Sequence, residues 1–418
     1  MKFLLPTLGS AGDVYPFIAI GEALRERGHD VEIITNPVFE SVITAAGLGF
    51  HPVGTAAQYN DALSSPKLWH PIDGFGVFWR RMARHALEPV YTRIEIEYAK
   101  GSCAVLATPL MLGARLAQEK LGVPLVTAYT AATMLRSTEY PMTLAQWQIP
   151  RLHGALLRPV LSLAWQALDR YKLHPMLSAD LPPLRDKLGM PALVNSVFGQ
   201  WIHSPLAGVT LFPDWFAPAP VDWPPQVRQA GFPVYDGDQA NGLDAALLDF
   251  LAAGDAPIVF TPGSAMGHGH AFFKAAVQTC SVLGLRGVLL STRSEQIPAN
   301  LPPEIHRSCY APFGLLLPLA RALVHHGGIG NSAQALRAGL PQLITPMAFD
   351  QFDNAMRLGQ LGVASSVSPR DVKFGSMAPK LQMLLDSPKV ASACQAAAQR
   401  MANNRAVEII CDLLESVS

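Results

Sequence analysis

The chain has 418 residues, and half of them are hydrophobic, which is enough for two domains with large buried sheets. Lys plus Arg and Asp plus Glu both number 32, so the formal net charge is zero. No basic field exists that would attract nucleic acid, and we expect no nucleic-acid partner. The five cysteines lack the spacing of a zinc or redox motif, which suits a reducing compartment.

The amino terminus runs from Met1 directly into a strand-like segment with no cleavage site of small residues, so we expect no signal peptide. No uncharged apolar run reaches the roughly 18 residues that span a bilayer. These features predict a cytoplasmic protein that is soluble or peripheral to the inner membrane.

Strands and helices alternate along the first half of the chain. "KFLLPTLGS" predicts a buried strand, residues 17–28 predict a helix, and "VEIIT" predicts the next strand. The pattern continues through "AVLATP" and "VPLVTA", while residues 140–200 are more helical in character. We assign residues 1–213 to a Rossmann-like domain with a parallel sheet.

A proline-rich and glycine-rich segment, 214–240, predicts an interdomain linker. Alternation then resumes over residues 241–400, from "PIVFTP" through "ALVHH" to "PQLITP". The predicted class is α/β, with two doubly wound domains that face each other across a cleft, where open sheets of this kind bind ligands. Residues 401–418 predict a helix that crosses back to the first domain.

Two glycine turns of the second domain suit an anion. "HHGGIGNSAQAL" (325–336) follows one predicted strand and precedes a helix, and "TPGSAMG" follows another strand. Each turn could serve only as a tight turn that needs glycine for positive φ. Together, backbone N–H groups and a helix dipole at one sheet edge predict a diphosphate site. The candidate residues are Gly263, Ser264, His326, Gly328, Gly330, Asn331 and Ser332.

The loop "MAFDQFDN" reaches the same sheet edge, where Asp350 and Gln351 could hold vicinal hydroxyls of a sugar. A solvated loop with an Asx turn is the alternative. In the first domain, Asp13 follows the first strand and faces the cleft in "GSAGDVYP". Its alternative role is to cap the helix that follows.

These residues carry a family resemblance. "HHGGIGNSAQALRAGLPQLITPMAFDQFDN" resembles the donor signature of inverting glycosyltransferases of family 1, which have the GT-B fold, and "LGSAGDVYPFIAIGEALRERGH" resembles their acceptor-domain signature. The middle of the sequence is similar to the rhamnosyltransferases of bacterial rhamnolipid biosynthesis. The resemblance implies a dTDP-linked or UDP-linked sugar donor, no metal or other cofactor, and Asp13 as the general base.

The sequence also departs from the family pattern. Tyr310 and Ala311 stand where many relatives have a tryptophan motif that contacts the nucleotide base, so Tyr310 is a candidate for stacking. Gln334 replaces a glutamate that contacts the ribose hydroxyls, and a deoxyribose has one hydroxyl fewer. We therefore favour dTDP-rhamnose as the donor. "DGD" at 236–238 matches the metal-binding triplet of another glycosyltransferase fold, but it lies in the predicted linker.

Two stretches suggest a hydrophobic acceptor with a hydroxyl group. Residues 68–91 combine aromatic side chains with arginines, and residues 151–177 are similar. An ordinary core helix with a solvated basic face explains the first stretch equally well. If functional, both stretches suit an acyl chain or contact with a membrane surface. The candidate acceptor residues are Trp69, Phe75, Phe78, Trp79 and Arg80.

The expected activity is transfer of a hexose, L-rhamnose from dTDP-rhamnose, to a hydroxyalkanoyloxyalkanoate. The alternative acceptor is a small hydrophobic natural product such as a macrolide, sterol or phenol. A nicotinamide-dependent oxidoreductase is disfavoured because "LGSAGDVYP" lacks the G-x-G-x-x-G motif. A sugar-binding or lipid-binding module without catalysis is disfavoured by the complete donor signature together with Asp13.

Overall fold

The computed structural model describes most of the chain as two α/β domains in contact. The described residues are 1–70, 73–143, 157–193, 196–237, 242–267, 269–368, 371 and 375–418. Each domain contains one parallel sheet covered by helices. The predicted class of two doubly wound domains is confirmed.

The first domain is built on seven parallel strands in the order β3-β2-β1-β4-β5-β6-β7. Its strands are β1 (Lys2–Pro6), β2 (Asp30–Thr35), β3 (Gly49–Pro52), β4 (Cys103–Ala107), β5 (Leu125–Tyr129), β6 (Ala207–Thr210) and β7 (Val227–Gln229). Its helices are α1 (Ala11–Glu26), α2 (Glu40–Ala45), α3 (Ala56–Ser64), α4 (Gly74–Phe78), α5 (Arg84–Lys100), α6 (Leu112–Leu121), α7 (Leu157–Leu168), α8 (His174–Leu177) and α9 (Leu181–Lys187).

The second domain has six parallel strands in the order β10-β9-β8-β11-β12-β13. Its strands are β8 (Ile258–Thr261), β9 (Gly287–Leu290), β10 (Ile305–Ser308), β11 (Ala322–His325), β12 (Gln342–Ile344) and β13 (Ala364–Ser366). Its helices are α10 (Ala245–Ala252), α11 (His270–Leu283), α12 (Phe313–Leu316), α13 (Ile329–Arg337), α14 (Gln351–Gln360), α15 (Met377–Asp386) and α16 (Pro388–Ala402). A last helix, α17, spans Ala406–Val417.

Helix α1 begins six residues before the predicted start at Phe17, because a capping box forms at Ser10 and Asp13. The segment predicted as a linker contains β7, which pairs with β6 as the outermost strand of the first sheet. Apolar periodicity could not reveal so short a strand. The boundary of the first domain at residue 213 stays a prediction.

The last helix packs against the first domain. Arg27 at the end of α1 forms ion pairs with Asp412 at 2.7 Å and Glu415 at 2.8 Å. Cys411 and Leu414 are fully buried in the core of the first domain. No helix among the residues that the structure describes is long and apolar enough to cross a membrane.

Candidate active site

The two topological switch points place the predicted site residues beside the interdomain cleft. In the second sheet β8 and β11 are neighbours, with Thr261 opposite His325, so the turns that follow these strands lie side by side. In the first sheet the order reverses at β1, and the chain after β1 leads into the first turn of α1, which carries Asp13. Ligands of open α/β sheets bind at such points.

The imidazole of His326 lies between two glycines, one from each turn. A Cβ atom placed on Gly263 would lie 2.5 Å from Cε1 of His326, and one placed on Gly328 would lie 2.5 Å from its Nε2. Burial lowers the pKa of His326 to about 4, so the ring is neutral at pH 7. Its Nδ1 is buried without a hydrogen-bond partner among the described residues. An unsatisfied buried nitrogen is costly, and a bound ligand would remove that cost.

Two of the predicted phosphate contacts are used inside the protein instead. The Gly263 N–H donates to Thr261 Oγ1 at 3.2 Å, so this glycine provides space for His326 rather than a free donor. The Ser332 hydroxyl donates to the Gly328 carbonyl at 3.0 Å, and Ser332 is fully buried. Ser264 is exposed and keeps its hydroxyl available. The Gly263 amide and the Ser332 hydroxyl therefore have internal partners in this structure, and their contact with a phosphate stays a prediction.

Helix α13 begins at Ile329, with Gly328 as its N-cap. No side chain among the described residues caps this end, so the first-turn N–H groups are available to an anion. The Asn331 side chain is half-buried in the first turn and has no hydrogen-bond partner among the described residues. These groups are suited to binding a diphosphate.

The amino-terminal ends of α1 and α13 meet across the cleft at two glycines. A Cβ atom placed on Gly330 would lie 3.4 Å from the Cα of Gly12. Asp13 follows Gly12 directly, so this close approach brings the carboxylate of the first domain to the uncapped helix end of the second. A Cβ atom at either glycine would be in van der Waals contact with its surroundings, so little space remains there for a long side chain.

Asp13 caps its own helix, and its role as the general base stays a prediction. It occupies the third position of α1, where Oδ2 accepts hydrogen bonds from the Ser10 N–H at 2.8 Å and the Ser10 hydroxyl at 3.1 Å. Burial raises the pKa of Asp13, while the Ser10 bonds and the nearby Thr130 side chain oppose that rise. A raised pKa makes the carboxylate a stronger base than a free aspartate.

Asp350 of the second domain lies close enough to Asp13 to sense its charge. Burial, followed by the negative charge of Asp13, raises the pKa of Asp350 to about 7. Asn354 donates to Asp350 Oδ2 at 2.7 Å and to the Gly327 carbonyl at 2.9 Å, which ties this loop to the His326 turn. Gln351 is buried, and its side-chain oxygen accepts the N–H groups of Met347 and Ala348, so that oxygen shapes the loop.

The raised pKa of Asp350 predicts a pH-dependent stability. The native state retains this proton between about pH 4 and pH 7, where the unfolded state has lost it, so stability falls as the pH rises through that window. We expect Asp350→Asn to remove on the order of 1–2 kcal/mol of that fall once solvent screening is considered. Denaturant titrations at pH 5 and pH 8 measure the difference in the free energy of unfolding between the two conditions. The exposed control Asp255→Asn should leave the pH dependence unchanged, and an unchanged slope in Asp350→Asn would contradict the prediction.

The predicted nucleoside end of the site lies against the linker. Tyr310 is 51% exposed, and its hydroxyl lies against Gly237, whose φ is +69°. Ala311 is buried in the core of the second domain, so only its backbone could contact a nucleotide. Gln334 is also buried and donates to the Tyr235 carbonyl at 3.1 Å, so its amide is not free for a ribose.

The first carboxylate of the "DGD" triplet has an internal partner. Asp236 accepts a hydrogen bond from Arg337 at 2.8 Å and contacts Gln334. A glutamate at position 334 would repel Asp236, which gives a structural reason for glutamine there. Residue 238 lies outside the described residues. The ion pair supports a structural role for Asp236.

Trp79 is not available to an acceptor. Its side chain is buried in the core of the first domain, and its Nε1 donates to Asp180 at 3.0 Å. Phe75 and Phe78 are half-buried and stack on each other against that core, while Arg80 is exposed. For Trp79 the alternative of an ordinary core helix is therefore correct. The sequence did not reveal which face of the helix this side chain occupies.

Trp69 does reach the cleft. Its ring contacts Phe349 of the second domain edge to face, with 6.3 Å between the ring centroids. The second predicted acceptor stretch, 151–177, lies in part outside the described residues, which resume at position 157. Within it, Val160, Leu163 and Tyr171 are all exposed.

Several residues near the site were missed by the sequence interpretation. Thr130 lies close enough to Asp13 to lower its pKa, and Tyr59 lies close enough to sense the charges of Asp13 and Arg293. Arg293 is half-buried and has no ion-pair partner among the described residues. None lies in a recognisable motif, because only the packing of the two domains brings them together.

Family models match both domains. Residues 3–138 match the glycosyltransferase family 28 N-terminal domain, and residues 287–415 match the erythromycin biosynthesis protein CIII-like C-terminal domain. These regions contain Asp13 and the His326 turn respectively. The segment between them is matched by neither model.

Relatives and solved structures that match nearly all of this chain agree with the two family models. An O-mycaminosyltylonolide 6-deoxyallosyltransferase of Streptomyces fradiae is 27% identical over 99% of this chain and 97% of its own. A sterol 3-beta-glucosyltransferase of Debaryomyces hansenii is 26% identical over 97% of this chain, which spans only 26% of that longer protein. The spinosyn rhamnosyltransferase SpnG, solved with thymidine diphosphate, has a TM-score of 0.68 at 18% identity, covering 99% of this chain and 100% of its own.

Proposed function

The chain is a glycosyltransferase with the GT-B fold, and from this premise we propose that it transfers a 6-deoxyhexose, L-rhamnose, from dTDP-rhamnose to the hydroxyl of a hydrophobic acceptor. One observation carries the proposal. Asp350 lies close enough to Asp13 to sense its negative charge, and both lie near an uncapped helix end and the unpartnered nitrogen of His326.

The donor diphosphate binds at the amino-terminal end of α13. The first-turn N–H groups and the Asn331 amide supply hydrogen bonds, and the helix dipole stabilises the negative charge. His326 is neutral and donates one N–H from its buried ring. Ser264 contributes its hydroxyl from the neighbouring turn. No metal ion or other cofactor is required in this scheme, because N–H donors stabilise the leaving group.

Transfer occurs in a single displacement with inversion. Asp13 takes the proton of the acceptor hydroxyl as its oxygen forms a bond to the anomeric carbon of the sugar. The bond between that carbon and the diphosphate oxygen breaks, and its electron pair leaves with the nucleotide. Asp350 accepts hydrogen bonds from sugar hydroxyls. These bonds take the place of hydrogen bonds to water, which burial has already reduced, as the raised pKa of this carboxyl indicates.

The choice of dTDP-rhamnose has two supports. A buried Gln334 that is bonded to the linker leaves no carboxylate at that position for a second ribose hydroxyl. The similar protein solved with thymidine diphosphate is itself a rhamnosyltransferase, and the relative from S. fradiae transfers another 6-deoxyhexose.

The proposed acceptor is a hydroxyalkanoyloxyalkanoate or a related lipid, bound along the aromatic side of the first domain. The exposed apolar side chains Val160, Leu163 and Tyr171 suit peripheral contact with a membrane that holds such a lipid. The second candidate is a small natural product such as a macrolide, which the name of the S. fradiae relative favours.

A donor and acceptor panel followed by mass spectrometry tests the proposal. We expect nucleotide release from dTDP-rhamnose that depends on the lipid acceptor, with a product heavier by one deoxyhexose, and a preference over UDP-glucose of about tenfold or more. Faster turnover of UDP-glucose than of every dTDP-sugar would overturn the donor assignment. Preference for a macrolide aglycone would replace the lipid with the second candidate, and tight binding without turnover would indicate a binding module.

A further inference from the structure

Phe349 has a conformation that its own side chain disfavours. It is the non-glycine residue with positive φ, +56°, among the residues that the structure describes. A bulky residue in the left-handed region is an outlier that costs about 1–3 kcal/mol, and glycine or asparagine would fit there with less strain. Phe349 is also 43% exposed, so burial does not compensate for the strain.

The loop on either side holds Phe349 in this conformation. Gln351 accepts hydrogen bonds from Met347 N–H at 2.8 Å and Ala348 N–H at 3.1 Å, which closes a tight turn just before Phe349. Asn354 holds the following residue, Asp350, through a bond of 2.7 Å. With both neighbours held, the Phe349 side chain projects away from its own domain.

The ring of Phe349 then contacts the first domain. It meets the edge of Trp69 with 6.3 Å between centroids, and a Cβ atom placed on Gly74 would lie 3.5 Å from its Cζ. An aromatic contact across the cleft is therefore linked directly to Asp350 in the chain. The Trp69 Nε1 is buried and has no hydrogen-bond partner among the described residues.

We propose that Phe349 and Trp69 form an aromatic clamp that binds the apolar part of the acceptor beside its reacting hydroxyl, with the Trp69 N–H donating to an oxygen of the acceptor. Phe349 is then an acceptor-specificity residue supplied by the donor-binding domain. The class of acceptor is an apolar chain with a carbonyl or carboxylate oxygen near the hydroxyl. This inference rests on the proposed function and deepens it.

Four variants test the clamp. Phe349→Gly removes the ring and relieves the backbone strain, whereas Phe349→Tyr keeps the ring. Trp69→Phe keeps the edge contact between the rings without the indole N–H. Trp69→Ala removes both the ring contact and the indole N–H. We expect Phe349→Gly to raise the KM for the lipid acceptor by about tenfold or more, with the Kd of thymidine diphosphate changed by less than about twofold and a melting temperature equal to or above that of the parent. Phe349→Tyr should restore the KM.

The joint action of the Phe349 and Trp69 rings and the hydrogen bond from the Trp69 N–H to the acceptor are tested by different measurements. If the two rings act together, adding Trp69→Ala to Phe349→Gly raises the KM by much less than the product of the single effects. Trp69→Phe should raise the KM for a 3-hydroxyacyl acceptor but not for a plain alcohol of equal length. Multiplicative effects, or a lower kcat at unchanged KM in Phe349→Gly, would overturn the clamp.

A binding measurement separates this inference from the proposed function. Quenching of tryptophan fluorescence by a long-chain 3-hydroxy fatty acid, compared with Trp69→Phe, reports acceptor binding without turnover. Binding that weakens in Phe349→Gly while no donor is consumed supports the clamp and contradicts sugar transfer. Turnover that Phe349→Gly leaves unchanged contradicts the clamp and retains the proposed function. Absence of binding and of turnover in the parent overturns both.

Discussion

Asp13→Asn is expected to lower kcat for sugar transfer by about 10³-fold, within the range of roughly 10²–10⁴ that a positioned general base contributes. The amide of asparagine cannot accept the proton of the acceptor hydroxyl. Its side-chain oxygen can still accept the Ser10 N–H, which Asp13 Oδ2 accepts at 2.8 Å, so α1 retains its cap. The Kd of thymidine diphosphate and the melting temperature should change little.

Single-turnover rates with saturating donor measure this effect, and Ser10→Ala provides the matched control. Ser10→Ala removes the hydroxyl that lies 3.1 Å from Asp13 Oδ2 but leaves the carboxylate. Losing a bond to the charged form raises the pKa of Asp13 further. The acidic limb of its pH–rate profile should therefore move to higher pH, with a smaller loss of maximal rate. A rate for Asp13→Asn within tenfold of the parent would exclude the base assignment.

Gly263→Ala is expected to weaken binding of thymidine diphosphate by about tenfold to a hundredfold and to lower the free energy of unfolding by about 1–3 kcal/mol. Gly263 has φ +93°, which alanine adopts only with strain. The added methyl would also lie 2.5 Å from Cε1 of His326 and 2.8 Å from its two ring nitrogens. The imidazole must then leave the position from which we propose that it contacts the diphosphate.

Gly284→Ala separates the effect of backbone strain at positive φ from the effect of a clash with His326. Gly284 also has a left-handed φ, +63°, but a Cβ atom there would meet nothing within 4 Å. It should cost about 1 kcal/mol of stability and leave nucleotide affinity unchanged. Combining Gly263→Ala with His326→Ala should recover part of the stability without recovering affinity. Titration calorimetry and denaturant unfolding give both quantities, and full affinity in Gly263→Ala would contradict the donor site.

The general outline of this protein was predictable from local sequence signals. Buried strands alternate with helices in both halves, and parallel strands must end at one edge of the sheet. The segments that follow β1, β8 and β11 therefore carry Asp13, Gly263 and His326 to the cleft. Glycine next to a helix start was a correct indicator of the uncapped end of α13.

The partner of each polar group was not predictable in the same way. The Gly263 N–H bonds to a threonine two residues earlier, and Ser332 bonds back to its own helix. Both residues had the chemistry of a phosphate contact in the sequence. Both groups instead form hydrogen bonds within the protein, because a buried donor without a partner is costly.

The sequence alone determined the alternation of elements, the glycine turns and the acid after the first strand, because these depend on residues close together along the chain. Only the tertiary structure decided that Trp79 belongs to the core, that Phe349 crosses to Trp69, and that Asp13 lies close to Asp350. The last two relations join residues hundreds of positions apart. They depend on how the two domains pack, which no local pattern encodes.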